Sequence, residues 1–342
     1  MSLSRYWFVV TVVVLAVVSS KASANEHLIT GKTMGSNYSV RYLVNDNDAR
    51  EAKVAQAIDA EIEIVNQAMS TWRPRSEISL FNHSKSTSSI PVSDAFAEVL
   101  TEGIRLHKLS GGALDFSIGP LIDLWGFGAA GKRYSPPSLQ QSLRVREITG
   151  MDKFRFKEGR LSKSNPNAQI NLSAIAKGYA VDRVAKRLIA LKINNFIVDI
   201  GGELSVSGHS STGPWQIEIE SPTGLASTQT LVIDNQAVAT SGDYKQFYEY
   251  DGEHYSHVFD PRIGMPVKRE IVSATVIADT CMTADGLATA SIALGVQKAL
   301  ALAEQQGYPL YLIERVESDA APVSFKVHYS SSFKPYLSNQ NN

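Results

Sequence analysis

Two hydrophobic periodicities alternate along this chain, and together they restrict its fold more than any other feature. Apolar and polar residues alternate over residues 38–44, which predicts a half-buried strand. Over residues 54–69 the apolar positions recur every three to four residues, which predicts an amphipathic helix. Further strand patterns occupy 195–200, 203–206, 215–220, 271–278, 308–313 and 323–329. Because strands outnumber helices and lie at hairpin-like spacing, we predict an α+β fold with mostly antiparallel sheets and packed helices.

Four more helical patterns are predicted: one at 94–110, one within 171–191, and two consecutive ones over 282–305. Asp94 is expected to cap the first of them, and Gly111-Gly112 to end it. The polar, proline-punctuated stretch 129–167 predicts a surface excursion with one short hairpin. The tail from Ser330 onward is expected to be frayed.

Composition excludes some classes of function. The 342 residues are 44% apolar and 20% charged, which is typical of a globular enzyme. With a formal net charge of −1 and no stripe of basic residues, we expect no nucleic-acid partner. Cys281 is the only cysteine, so no intramolecular disulfide can form, and we expect a buried side chain there.

Residues 1–24 have the pattern of a signal peptide. Arg5 precedes an apolar run over residues 6–18, and Ala22-Ser23-Ala24 forms a cleavage site. We therefore expect a periplasmic protein with one domain over residues 25–342 and at most peripheral membrane association. An uncleaved anchor is the alternative, whereas a lipid anchor is not expected because no cysteine lies near the cleavage site.

The core pattern breaks in the turn-rich stretch 239–267. Asp243, His257, Asp260 and Arg262 gather there, and such a break is more typical of a site than of a scaffold. His257 is suited to moving a proton near neutral pH. A histidine that only holds a turn together is an equally good interpretation of the local sequence.

Asp285 and Thr289 lie four residues apart on a predicted helix and therefore share one face. A carboxylate with a hydroxyl suits Mg²⁺, although an acidic helix start with a buried threonine would look the same. Lys177, in the first turns of another helix, opposes the helix dipole unless an anion is present. No nucleophile elbow, P-loop or dinucleotide fingerprint occurs.

Several motifs in order resemble the ApbE family of flavin transferases. They are Thr33-Met34-Gly35, Ser70-Thr71-Trp72, Ala113-Leu114-Asp115, Leu124-Trp125-Gly126-Phe127-Gly128, Ala174-Ile175-Ala176-Lys177-Gly178-Tyr179, Asp199-Ile200-Gly201-Gly202-Glu203, Ala239-Thr240-Ser241-Gly242-Asp243-Tyr244, Ser256-His257 and Ala284-Asp285-Gly286-Leu287-Ala288-Thr289. The resemblance implies a T-fold-like α+β domain that uses FAD and Mg²⁺. It also implies transfer of the FMN half of FAD to a Ser or Thr hydroxyl of a target protein, through a phosphoester bond, with release of AMP.

The resemblance also assigns roles to residues. It implies that Asp285, Thr289 and the carbonyl of Ala174 hold the metal, and that His257 assists the chemistry. The residues implied to line the FAD site are Met34, Trp72, Ala113, Leu114, Asp115, Asn171, Lys177 and a backbone group near Phe259. Asn171 departs from the family, which often has an acidic residue there, because an amide brings no charge.

The implied partners are acceptor proteins, such as periplasm-facing subunits of Na⁺-translocating NADH:quinone oxidoreductase-type complexes. Two other functions fit the same residues. Water in place of the hydroxyl would make the chain an Mg²⁺-dependent FAD pyrophosphatase that yields FMN and AMP. A flavin carrier without catalysis would need the FAD site but not His257.

Overall fold

The computed structural model describes residues 26–44, 51–220, 227–242, 246–267, 270–318 and 321–337. The strands are β1 (Glu26–Thr33), β2 (Ser36–Leu43), β3 (Ile90–Pro91), β4 (Phe154–Lys157), β5 (Arg160–Lys163), β6 (Phe196–Ile200), β7 (Glu203–Ser207), β8 (His209–Ser210), β9 (Gly213–Pro214), β10 (Gln216–Glu220), β11 (Ser227–Val232), β12 (Gln236–Gly242), β13 (Phe247–Tyr250), β14 (Glu253–Ser256), β15 (Phe259–Asp260), β16 (Met265–Pro266), β17 (Ile271–Ala278), β18 (Leu310–Ser318) and β19 (Ala321–Tyr329).

The α-helices are α1 (Glu51–Met69), α2 (Glu77–His83), α3 (Asp94–Leu109), α4 (Gly119–Leu124), α5 (Leu139–Arg146), α6 (Ser173–Ala190), α7 (Cys281–Leu294) and α8 (Val296–Gln306). Short 3₁₀ turns lie at Phe116–Ile118, Met151–Lys153 and Ser331–Tyr336. None of the helices in the described ranges is long and apolar enough to span a membrane. Together with the sheets, these helices confirm the predicted α+β class.

An antiparallel sheet of eight strands forms the centre, in the order β1-β2-β6-β7-β12-β17-β18-β19. Two-residue turns join β1 to β2 and β6 to β7. The first is Met34-Gly35, with φ of 50° and 73°, and the second is Gly201-Gly202, with φ of 69° and 94°. Such left-handed pairs match the twist of a hairpin. The Gly201 amide donates to Asn37 O at 3.1 Å, so both turns lie at the same end of the sheet.

Both faces of this sheet are covered. Along β17 the residues alternate between two cores, which explains why Ile271 to Ile277 are all buried. Helices α1, α3, α6, α7 and α8 contribute to the larger core on one face. On the other face the β10–β11 hairpin brings Trp215 and Leu231 against the sheet, and Phe333 closes that side. A third, smaller apolar cluster contains Leu121, Trp125, Tyr248 and Phe259.

Helices α6 and α7 cross very closely because glycine occupies the crossing on each helix. A Cβ on Gly178 would lie 2.4 Å from the carbonyl oxygen of Cys281, which is backbone and cannot move aside. A Cβ on Gly286 would lie 2.5 Å from Leu106 and 2.8 Å from Ile175. The two glycines therefore set the spacing of the helices that carry the predicted metal ligands.

Some expectations about local structure were wrong. The cap of α3 is Ser93, whose side chain accepts from Phe96 N, and Asp94 is instead the first helical residue. The stretch 129–167 contains α5 besides the predicted hairpin of β4 and β5; this helix buries no residue, so hydrophobic periodicity could not reveal it. Beyond Ser330 the chain is anchored by the buried Phe333. Cys281 is buried, as predicted. The predicted signal peptide lies outside the described residues.

Candidate active site

The structure brings the three predicted metal ligands to the crossing of α6 and α7. The buried Asp285 accepts a hydrogen bond at Oδ2 from the amide of Gly178, at 3.0 Å. In an α-helix that amide faces the carbonyl four residues earlier, which is the carbonyl of Ala174. Thr289 lies one turn after Asp285 on the same face of α7. Asp285 thus contacts the second turn of α6, the helix that carries Ala174, and Thr289 lies on the same face of α7.

This donor set fits Mg²⁺, which binds oxygen and keeps several waters rather than a full protein cage. The described residues contain no group of three or more His, Cys, Asp or Glu side chains that could form such a cage. Ser241, at the end of β12, lies beside the set with its Oγ 3.0 Å from Thr289 Oγ1. A threonine that gives its oxygen to a metal can donate its proton to this serine. Ser241 was not among the predicted site residues.

Lys177, also on α6, makes an ion pair with Glu203 at the start of β7. Burial disfavours the charge on Lys177, but the carboxylates of Glu203 and Asp285 outweigh this effect, and the pKa of Lys177 is raised. Lys177 therefore remains a cation beside the predicted metal ligands. The Glu203 carboxylate is the anion that compensates for Lys177 opposing the dipole of α6. Glu203 was not predicted as the partner of Lys177.

A second buried carboxylate orders the start of α7. Asp182 on α6 accepts from Cys281 N at 2.7 Å and from Met282 N at 2.9 Å, so it binds two amides at the start of the helix. Burial raises the pKa of Asp182 to about 6, although the two amides lower it; the nearby Glu102 also raises it. Since Asp285 follows one turn later, Asp182 helps to fix the position of a predicted metal ligand.

Met34 and Trp72 each lie close in sequence to a contact between α1 and the end of β1. Asn66, near the end of α1, donates to Thr33 Oγ1 at 3.1 Å and so joins α1 to the Met34-Gly35 turn. Met34 holds a left-handed φ of 50°, which is uncommon for a residue with a side chain. Trp72 follows α1 and is 69% exposed. An exposed indole and a methionine are both suited to packing against a flat ring.

Residues 113–115 and Asn171 are linked through the 3₁₀ turn at Phe116–Ile118. Ala113 and Leu114 are buried, so only their backbone is available to a ligand, while Asp115 accepts from Ser117 N at 2.7 Å. The backbone amide of Asn171 donates to Phe116 O at 2.8 Å, and its side-chain Oδ1 accepts from Ser173 N at 2.9 Å. The Asn171 side chain thus forms a local turn just before α6, a role that its carbonyl oxygen fills without a charge.

His257 belongs to a different part of the structure, beside the third cluster. Its backbone amide and its Nδ1 lie 3.0 and 3.1 Å from Gln246 O. A carbonyl can only accept, so we infer that Nδ1 carries the proton and that Nε2 is the basic nitrogen of the neutral ring. The ring also contacts Phe127, with centroids 6.5 Å apart.

The aromatic side chains next to Phe127 in the sequence therefore pack in the cluster that holds the His257 ring. Trp125 is buried against Tyr255 and Phe259, with ring centroids 5.5 and 6.2 Å apart. The Phe259 ring is buried as well, which leaves its backbone as the group that could touch a ligand. Asp243, which was expected in this site, lies outside the described residues.

One ion pair joins this part to the metal-ligand helix. Arg262 forms a two-pronged contact with Asp260, at 2.7 and 2.8 Å, and donates to Ala293 O near the end of α7 at 2.6 Å. Arg262 and Asp260 thus fix the β15–β16 turn against α7. One group of predicted site residues lies at the α6–α7 crossing, and His257 and Phe259 lie at the third apolar cluster. Helix α7 contacts both places.

Comparison with known proteins gives the class. A sequence profile of the ApbE family matches residues 34–312. The structure superimposes on the flavin transferase ApbE from Vibrio cholerae with a TM-score of 0.84 and 40% identity, over 91% of this chain and 99% of that one. The flavinyl transferase ApbE of Pseudomonas stutzeri, in its apo form, gives a TM-score of 0.82 at 35% identity, over 92% and 98%.

Relatives named FAD:protein FMN transferase show the same similarity. The one from Vibrio cholerae is 38% identical over 98% of this chain and 99% of its own length. The one from Haemophilus influenzae is 39% identical over 90% of both chains. The chain belongs to the ApbE family, which confirms the predicted membership. The roles of the individual site residues stay predictions.

Replacement of Asp182 by Asn should change how stability depends on pH. The folded state holds the Asp182 proton up to a pKa of about 6, against an ordinary value of 3.8. Because the folded state binds this proton more tightly, its stability falls as pH rises from about 4 to about 6. Relative to Asp182→Asn, the wild type should therefore lose about 2–3 kcal/mol of unfolding free energy over that range.

Urea denaturation at pH 4.5, 5.5 and 7 measures the difference between the two proteins. Asp251→Asn, at an exposed turn position, is the matched control. A constant difference between Asp182→Asn and the wild type across this range would contradict the assignment.

Proposed function

We propose that this protein transfers the FMN half of FAD to a Ser or Thr hydroxyl of an acceptor protein, in a Mg²⁺-dependent reaction that releases AMP. The predicted enzyme class, a flavin transferase, is confirmed by the relatives that span nearly the whole chain. The observation that supports the finer proposal is the contact of Asp285 with the second turn of α6, with Thr289 on the same face of α7 and Lys177 near the Asp285 carboxylate.

The α6–α7 crossing would hold the diphosphate of FAD. Asp285, Thr289 and the Ala174 carbonyl would hold Mg²⁺, which when bound neutralises charge on the phosphate oxygens. Lys177 contributes a cation on the same side, and its raised pKa keeps it charged at neutral pH. Charge neutralisation and positioning are the main requirements of phosphoryl transfer. Met34 and Trp72 would contact a ring of FAD, and the Ala113–Asp115 backbone and Asn171 would line the site.

His257 would act on the acceptor. Its Nε2 would take the proton of the attacking hydroxyl, since Nδ1 is engaged with Gln246 O. The hydroxyl oxygen forms a bond to the phosphorus of the FMN half while the bond from that phosphorus to the AMP oxygen breaks. The products are a phosphoester and AMP, and the proton remains on His257 until it passes to solvent or to the leaving group.

The reaction can be tested by mixing the protein with FAD, Mg²⁺ and a candidate acceptor. We expect the acceptor to gain the mass of FMN and AMP to appear in equal amount. Asp285→Asn should slow labelling roughly 100-fold or more, since a catalytic metal ion contributes several kcal/mol. Asp152→Asn, on an aspartate whose side chain is 79% exposed, is the matched control and should label normally. AMP release at the same rate without an acceptor would instead indicate a pyrophosphatase.

His257→Ala should separate binding from turnover. We expect FAD affinity within about twofold of wild type, because the ring lies in the cluster with Phe127 rather than at the α6–α7 crossing. Labelling should fall roughly 100- to 10,000-fold, the usual contribution of a general base. Fluorescence titration with FAD and mass spectrometry of the acceptor measure the two effects. Unchanged labelling would favour a carrier or a different base.

The proposed setting is the periplasm, with exported flavoproteins or periplasm-facing subunits of Na⁺-translocating NADH:quinone oxidoreductase-type complexes as acceptors. The support is the signal-like pattern of residues 1–24. Cleavage after Ala24 should give an exported protein whose first residue is Asn25. N-terminal sequencing checks this, and a protein that starts at Met1 would contradict export.

A further inference from the structure

Glu203 is a buried charged residue for which the proposed chemistry has no role. It is the first residue of β7, and its carboxylate is only 2% exposed. Oε1 accepts from the Lys177 ammonium, but Oε2 has no hydrogen-bond partner in the part of the chain that the structure describes. A buried carboxylate that is half satisfied is costly for the fold. A residue kept at such a cost calls for a functional explanation.

The surroundings of Glu203 connect two parts of the FAD site. Lys177 approaches from α6, and the Gly201-Gly202 turn precedes Glu203 directly. A Cβ on Gly201 would lie 3.4 Å from Glu203 Oε2 and 2.7 Å from Ser36 Oγ, so the carboxylate lies near the turn that carries Met34. Glu203 is therefore placed between the cation of the site and the Met34-Gly35 turn.

We propose that Glu203 is a positioning residue that fixes the Lys177 ammonium for contact with the FAD diphosphate. A lysine side chain has four rotatable bonds and loses much conformational entropy when it is ordered. In this fold the loss occurs before FAD arrives, because Glu203 already holds the ammonium. This inference rests on the proposed function for the identity of the ligand, but it concerns binding alone and not the transfer step.

Simple electrostatics makes the opposite forecast. A carboxylate near an anionic ligand repels it, so Glu203→Gln would strengthen FAD binding if charge alone mattered. We expect the reverse, because Lys177 loses both its fixed position and its strongest charged partner in that variant. Hydrogen bonds to charged groups are among the stronger ones in proteins. The sign of the change therefore decides between the two accounts.

The test is a double-mutant cycle on FAD affinity, measured by flavin fluorescence in EDTA so that bound metal does not contribute. Glu203→Gln should weaken binding roughly 10- to 100-fold, and Lys177→Met by a similar factor. In the Lys177→Met background, Glu203→Gln should add less than about threefold, since the residue it acts through is already gone. Glu203→Asp, which keeps the charge, should recover most of the lost affinity.

Glu61→Gln provides the matched control. It removes another carboxylate that pairs with a residue of α6, Arg183, at 2.6 Å, and it should leave FAD affinity unchanged. Equal or tighter FAD binding by Glu203→Gln, or effects of the two substitutions that multiply, would overturn the proposal. If Glu203→Gln does not fold, the same cycle with Glu203→Asp gives the answer, because its smaller loss should also vanish in Lys177→Met.

Acceptor labelling by the wild type is measured separately and keeps the two hypotheses apart. Protein that binds FAD and shows the predicted cycle, yet labels no acceptor, would refute the transferase proposal and leave Glu203 as a positioning residue. Protein that labels an acceptor but shows independent effects of Glu203 and Lys177 would refute only the role of Glu203.

Discussion

The close crossing of α6 and α7 is the constraint on which the rest of this structure depends. Gly178 allows the backbone of Cys281 to approach where a Cβ would be only 2.4 Å from a carbonyl oxygen. That approach brings the Gly178 amide within 3.0 Å of the Asp285 carboxylate. A larger residue at position 178 would push α7 away from α6. The Asp285 carboxylate would then move away from the first turns of α6, where Ala174 lies. The close packing of α6 on α7 and the position of the predicted metal ligands therefore depend on the same glycine.

Such a crossing places charge inside the protein. Two lysines, the buried Lys163 and the partly buried Lys177, show how the fold accommodates such charge. Lys163 donates to the carbonyl oxygens of Phe81, Asn82 and Ala168 at 3.1 to 3.2 Å, and burial lowers its pKa to about 8. Lys177 instead faces the carboxylates of Glu203 and Asp285, and its pKa is raised. Neutral acceptors suit a lysine that ties segments together, whereas carboxylates preserve the charge that an anionic substrate requires.

Local sequence was sufficient for elements whose stability comes from their own apolar pattern. Helix α1 could be predicted because its buried residues recur every three to four positions. Strand β17 could be predicted as a short run rich in β-branched residues, although it is buried on both faces. Family motifs added the residues of the site. What the sequence could not provide is pairing over long distances. Glu203 meets Lys177 because β7 and α6 pack together, and Asp182 meets the start of α7 about a hundred residues later along the chain. Neither contact follows from any local pattern.

The stretch 239–267 shows why a polar break in the pattern identifies a site only in outline. Its first part ends β12 and places Ser241 beside Thr289, so it belongs to the metal-ligand group. Its later part carries His257 and packs on Trp125 and Phe127, so it belongs to the aromatic cluster. Arg262, paired with Asp260, fastens the end of the stretch to α7. The stretch 239–267 therefore contacts α7 near its own beginning, through Ser241, and near its own end, through Arg262. These two contacts fix the position of His257, which lies between them in the sequence, relative to the helix that carries Asp285.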